Sequence, residues 1–119
     1  LRIHTDEGIE GNCYIGAFRG GGHSHFGPIL NVLKPELLGR EASDREWLWN
    51  RLPILNSRRG ITNQNWAPVD VALWDITGKA AKLPIYKLLG TQRYHTEVYG
   101  TYPDRKSTRL NSSHTPISY

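Results

Sequence analysis

Residues 67–82 carry the strongest constraint on how this chain can fold. Val69, Ala72, Leu73, Ile76 and Ala80 recur at steps of three and four, extended by Trp66 and Ala81. That spacing predicts an amphipathic helix with one long buried stripe. Pro68 suits its first turn. A stripe of this length needs a second layer to cover it. Gly78 sharpens the requirement. A glycine inside a helix costs about 1 kcal/mol relative to alanine, which makes sense where another element packs close to the backbone. Pro84 then breaks the chain, and residues 85–89 read as a short helix ended by Gly90.

Three other segments supply the covering layer. Residues 28–38 read as a helix with Pro28 in its first turn, Gly39 as its stop, and Ile29, Leu30, Leu33, Leu37 and Leu38 as a broad apolar face. Pro35 is expected to split it into two turns. Ser43 followed by Glu46 reads as a capping box opening a helix through Trp47, Leu48, Arg51 and Leu52, stopped near Pro53. Residues 54–65 read as a polar connection. Leu1, Ile3 and Thr5 alternate with Arg2 and His4, and Asp6-Glu7-Gly8 is a turn signal before residues 9–15, giving a hairpin. A lone hairpin is marginal in water, so a further strand preceding Leu1 is expected. Residues 97–102 read as another strand. The expected class is α+β, a small antiparallel sheet packed on a helical bundle.

Composition narrows the function classes. The formal charge is +4, but residues 1–103 hold twelve basic against ten acidic residues, and the remaining excess lies in 104–119. No basic stripe argues for nucleic acid, and Arg58-Arg59 reads as a solvated loop pair. No apolar run approaches membrane-spanning length. The single cysteine, Cys13, excludes an internal disulfide. The default compartment is cytoplasmic. Residues 104–119 show neither helix nor strand period and read as disordered.

Candidate chemistry is sparse. Residues 16–27 contain five glycines and two histidines, His23 and His25, but lack the ending of a phosphate-binding loop. In a strand the two imidazoles would share a face. They can be exposed loop residues without a role, contacts at a substrate's edge, or two of the ligands of a zinc site. His4 and His95 read as structural or surface residues. Asp70 and Asp75 are five apart, about 140° around a helix, and do not converge on a metal. Asp70 reads as a first-turn acid favoured by the helix dipole. Asp75 and Lys79 are four apart in the favourable order and read as a structural ion pair. Cys13 reads as a small buried apolar residue. Trp47, Trp49, Trp66 and Trp74 are spaced as packing positions on helix faces.

Ala72-Leu73-Trp74-Asp75-Ile76-Thr77-Gly78-Lys79, followed by Leu83-Pro84-Ile85-Tyr86-Lys87-Leu88-Leu89-Gly90 and preceded by Asp70, closely resembles the N-terminal capping domain of the mandelate racemase/muconate lactonising family of the enolase superfamily. Arg2 to Gly11 look like that domain's second and third strands, and Leu37-Leu38-Gly39-Arg40 with Ser43 to Leu52 like its first helical pair. The resemblance implies a partial capping domain over residues 1–94, the start of a first barrel strand at 95–103, and a catalytic β/α barrel absent from this chain. It implies a parent enzyme that uses Mg2+ to abstract the proton α to a carboxylate, and no catalytic or metal residue here. An acid-sugar dehydratase leads, with racemase, cycloisomerase or a stand-alone binding module as alternatives. Implied partners are a small acid sugar, the chain's own barrel and further copies in a homo-oligomer, with no nucleic acid or membrane. Residues 16–27 resemble in position the family's second specificity loop, making Phe18, Arg19, His23 and His25 candidate substrate-facing residues. Asp70, Trp74, Asp75, Gly78, Lys79, Pro84 and Gly90 form the structural motif. Asn12-Cys13-Tyr14 stands where members often have Trp-Gly-Glu. Residues 104–114 and 117–119 resemble a translated sequencing adapter, which would end the authentic protein near Pro103 and make 104–119 non-native.

Overall fold

A computed structural model describes residues 1–14 and 26–95, with the backbone of 98–100 and 115–117. The chain forms two units, Leu1–Leu89 and Gly90–Tyr119. The first is α+β, a two-stranded antiparallel sheet on a helical bundle.

Strands β1 (Arg2–His4) and β2 (Glu10–Asn12) pair with Ile3 opposite Gly11. Gly8, at φ +78°, takes the left-handed position of the turn, and its N–H donates to the Thr5 carbonyl at 3.1 Å. Leu1 and Cys13 exchange bonds at 2.8 and 3.0 Å, so the ladder outlasts the strands by one pair.

The next segment is helical from residue 26 and runs through a π turn, Ile29–Leu33, into α1 (Lys34–Leu37). Pro35 therefore does not split it. The Lys34 N–H reaches back to the Ile29 carbonyl, five residues away. This wider turn lies immediately before Pro35, where α geometry presses the ring against the preceding turn's carbonyl. The register change also narrows the apolar face. Ile29 and Leu33 are buried, whereas Leu30 and Leu38 are exposed.

Helix α2 (Arg45–Arg59) corrects three expectations. Asp44, not Ser43, occupies the N-cap, without a side-chain cap bond. Pro53 lies inside the helix instead of stopping it, so the expected polar connection begins as two further helical turns. Leu48, Leu52 and Leu55 are all buried, on both sides of Pro53. Burial of each is worth about 1.5–3 kcal/mol, which offsets the roughly 3 kcal/mol of an interior proline. Arg58 and Arg59 consequently sit in the last helical turn, not a loop. Gly60, at φ +67°, ends the helix with its N–H donating to the Asn56 carbonyl at 2.9 Å. A Cβ there meets nothing within 4 Å. Gly60→Ala is thus expected to cost only backbone strain, about 1 kcal/mol, lowering the thermal midpoint by about 4–8 °C in a melt followed by circular dichroism.

Helix α3 (Asn63–Ala81) starts four residues earlier than its stripe suggests. The Thr62 N–H and hydroxyl both donate to Asn65 Oδ1, at 3.0 and 2.9 Å, closing its first turn. Pro68 is therefore well inside the helix, and Asp70 lies beyond the first turn where a dipole effect acts. Trp66, Val69, Ala72, Leu73 and Ile76 are buried as their spacing implies, while Ala80 and Ala81 are exposed. With Ile29, Leu33, Ile61 and the α2 leucines they form the core. Trp47, Trp49 and Trp74 stay outside that core. The expected close neighbour of Gly78 is present. A Cβ there would lie 3.1 Å from the Leu83 carbonyl oxygen and 3.4 Å from Ile85 Cγ1. Lys82 turns the chain at φ 53°, α4 (Ile85–Leu88) follows, and Gly90 is at φ +90°.

In the second unit, β3 (Val98–Gly100) pairs antiparallel with β4 (Thr115–Ile117). A strand thus stands at 115–117, where no regular structure is expected. β-Branched Thr115 and Ile117 favour extended backbone, and Pro116 is tolerated in an edge strand. The remainder of 104–119 lies outside the described residues. Among the described residues no closed barrel is present.

Candidate functional site

The hairpin seats on α3 through Gly11. A Cβ at this position would press on the Ala72 carbonyl oxygen and stand 2.6 Å from Ile76 Cγ1, so only glycine allows the strand this close. Ile3, directly opposite, points to the same face and joins the rim of the core.

Antiparallel pairing leaves alternate backbone groups pointing outward. Leu1, Thr5, Ile9 and Cys13 use theirs within the ladder, so Glu10 and Asn12 present theirs on the outer edge of β2. Two α3 side chains meet that edge. Asp75 Oδ2 accepts the Asn12 N–H at 2.8 Å, and Lys79 Nζ donates to the Glu10 carbonyl at 2.6 Å. The same ammonium donates to Asp75 Oδ2 at 2.6 Å, which is the expected i,i+4 pair. On the sheet face, the Glu10 carboxylate lies 3.3 Å from His4 Nδ1 and 4.0 Å from Arg2 Nε.

Lys79, bonded to its carboxylate, holds Asp75 below the ordinary carboxylate range; partial burial opposes this and the Asn12 N–H adds to it. A carboxyl with a lowered folded pKa contributes stability above its unfolded pKa and loses it as the pH falls through the folded value. Acid unfolding should therefore be less steep in Asp75→Asn than in the unsubstituted chain. Near neutral pH that variant should lose about 0.5 kcal/mol, typical of a half-exposed pair, as read from urea melts at several pH values.

Asp75, Gly78, Lys79 and Pro84 come together around an open hollow of about 390 Å³, with Lys82, Leu83 and Ile85. Asp70 and Trp74 line a separate hollow of about 230 Å³ with Arg45, Glu46 and Trp49. There the Arg45 guanidinium stacks 3.3 Å from the Trp74 ring centroid. Burial pushes the Asp70 carboxyl up, Arg45 opposes that and Glu46 reinforces it. Gly90 is exposed and belongs to neither hollow. A third cluster joins α1 to α2. Trp47 lies under Arg40 at 3.5 Å, with Arg51 at 5.3 Å, and Arg51 forks onto both oxygens of Glu36 at 3.3 Å.

Phe18, Arg19, His23 and His25 lie outside the described residues. Cys13 is half-buried rather than buried, with its Sγ 3.6 Å from the Tyr14 carbonyl oxygen. His95 is exposed. Among the described residues no group of three or more His, Cys, Asp or Glu gathers to hold a metal ion. Asp70 and Asp75 line different hollows and do not fit a magnesium site. Nor is any helix among the described residues long and apolar enough to cross a membrane. Asn12 and Glu10, the backbone partners of the Asp75–Lys79 pair, carry no sequence signal, because they lie 63 and 69 residues from their partners.

A small sheet seated on a long helix by a glycine, and tied to it by an acid–lysine pair, defines an α+β scaffold module. Residues 1–90 match the family described as mandelate racemase / muconate lactonizing enzyme, N-terminal domain, and the chain belongs to that family. It is 42% identical over 84 residues to an arabinonate dehydratase of Saccharolobus solfataricus, covering 66% of this chain and 22% of that protein. It is 46% identical over 105 residues to a D-mannonate dehydratase of Xanthomonas oryzae pv. oryzicola, covering 84% and 24%. An L-talarate/galactarate dehydratase of Salmonella typhimurium is 31% identical over 102 residues, covering 83% and 25%. The chain thus spans about a quarter of the length of these relatives. No solved structure matches.

Proposed function

We propose that residues 1–90 serve as the capping domain of a magnesium-dependent acid-sugar dehydratase. The observation that carries this reading is that the three relatives above are each named as a sugar-acid dehydratase, acting on arabinonate, D-mannonate or L-talarate and galactarate. Dehydration of such an acid removes the proton α to the carboxylate and expels a hydroxyl from the neighbouring carbon. In this reading the cap binds and orients the substrate and excludes water. Proton transfer and the metal belong to a barrel outside this chain.

Within the cap, Phe18, Arg19, His23 and His25 are the substrate-facing residues of this reading. The Arg19 guanidinium matches a carboxylate in charge and fork geometry. These residues act by binding and by shielding the reacting carbon from water.

A chimera tests the reading. Residues 1–90 replace the matching segment of the Xanthomonas D-mannonate dehydratase, and loss of water from a panel of sugar acids is followed. Retained dehydration with a changed order of preference among the acids is expected. A folded chimera that dehydrates none of them overturns the proposal.

A further inference from the structure

We infer that Asp75 and Lys79 are positioning residues that latch the outer edge of β2, and so set where the chain leaves the hairpin toward residues 15–25. The inference rests on the capping-domain reading for its consequence, and on geometry alone for the latch.

An edge strand presents a row of unpaired N–H and C=O groups. Here the pair matches that row in sign as well as in position. The carboxylate takes the Asn12 donor at 2.8 Å, and the ammonium takes the Glu10 acceptor at 2.6 Å. The two charges are also bonded to each other at 2.6 Å, so neither can leave without releasing the other. Together they satisfy two of the four backbone groups, one on each residue, that Glu10 and Asn12 would offer to a neighbouring strand. Gly11, between these two residues, is held against Ala72 and Ile76 of the same helix. Three consecutive residues of β2 are thus fixed to α3, and only Cys13 and Tyr14 separate them from residues 15–25. Beyond the latch, Cys13 is held only by its pair of bonds to Leu1, at 2.8 and 3.0 Å, and Tyr14 is 93% exposed. A surface ion pair used for stability alone has no need of two backbone partners on another element.

Amide hydrogen exchange in the full chain tests the latch. In Asp75→Ala and Lys79→Met, the ladder amides of Gly11 and Cys13 should exchange about tenfold faster, although neither bonds to the substituted side chains, while those of Val69 and Leu73 stay protected. Unchanged Gly11 and Cys13 amides, or equal acceleration along α3, overturns the inference. If Asp75→Ala unfolds the chain, Lys79→Arg against Lys79→Met decides: protection kept in the first and lost in the second supports the latch, and equal protection overturns it. The chimera supplies the functional arm. There the Lys79→Met substitution should raise KM for the sugar acid about fivefold or more with kcat within about twofold, as removal of binding alone would. Loss confined to kcat overturns the positioning role. A chimera inactive before substitution refutes the capping-domain reading, and the exchange result then stands by itself.

Discussion

Gly11→Val is expected to lower the thermal midpoint of the chain by about 10–20 °C. The added Cβ would meet the Ala72 carbonyl oxygen and the Ile76 side chain, both on the buried face of α3. Backbone cannot give way as a flexible side-chain end can, so either the hairpin lifts or the helix shifts. Overpacking of this kind costs about 2–3 kcal/mol, and each kcal/mol is worth about 4–8 °C in a domain of this size. Gly27→Ala is the control. Its Cβ meets nothing within 4 Å, and its φ is not left-handed. It should change stability by no more than about 0.5 kcal/mol. Thermal melts of the two variants separate a steric cause from the general effect of removing a glycine.

Leu33→Ala is expected to cost about 3 kcal/mol, and Leu30→Ala less than about 0.5 kcal/mol, in urea unfolding. Leu33 is fully buried in the π turn and belongs to the core built around α3, whereas Leu30 is 54% exposed. Truncating Leu33 removes its transfer free energy and leaves a cavity that the surrounding core only partly fills. The contrast also tests the register. A continuous α-helix through 28–38 turns both leucines onto one face, and the two variants would then lose similar stability.

What the sequence made legible follows from where the determining contacts lie. The α3 stripe, the Gly78 contact and the Asp75–Lys79 pair are written within a few residues of each other, and local spacing exposes them. The continuation of α2 through Pro53 is not local, because it depends on Leu52 and Leu55 finding a core supplied by other segments. The start of α3 was hidden for a different reason. Its cap uses Asn65 in place of the Glu or Gln of the familiar box, so the pattern was absent while the chemistry was present. Asp75 was readable as half of an ion pair but not as the acceptor of a strand N–H, since Asn12 is far away in the chain. The family resemblance supplied what spacing could not. It joined hairpin, helical pair and α3 into one module, and the match over residues 1–90 bears it out. The substrate-facing residues remain a proposal carried by that family, for they fall at 18–25, outside the described residues.

The function proposed above makes residues 1–90 a scaffold and specificity surface and assigns proton transfer to a barrel outside this chain. The most direct test is α-proton exchange in D2O by the purified 119-residue chain with magnesium and the acid sugars proposed above, followed by proton NMR. No exchange above the protein-free rate is expected. Exchange that scales with protein concentration would contradict the account and place catalytic groups within this chain.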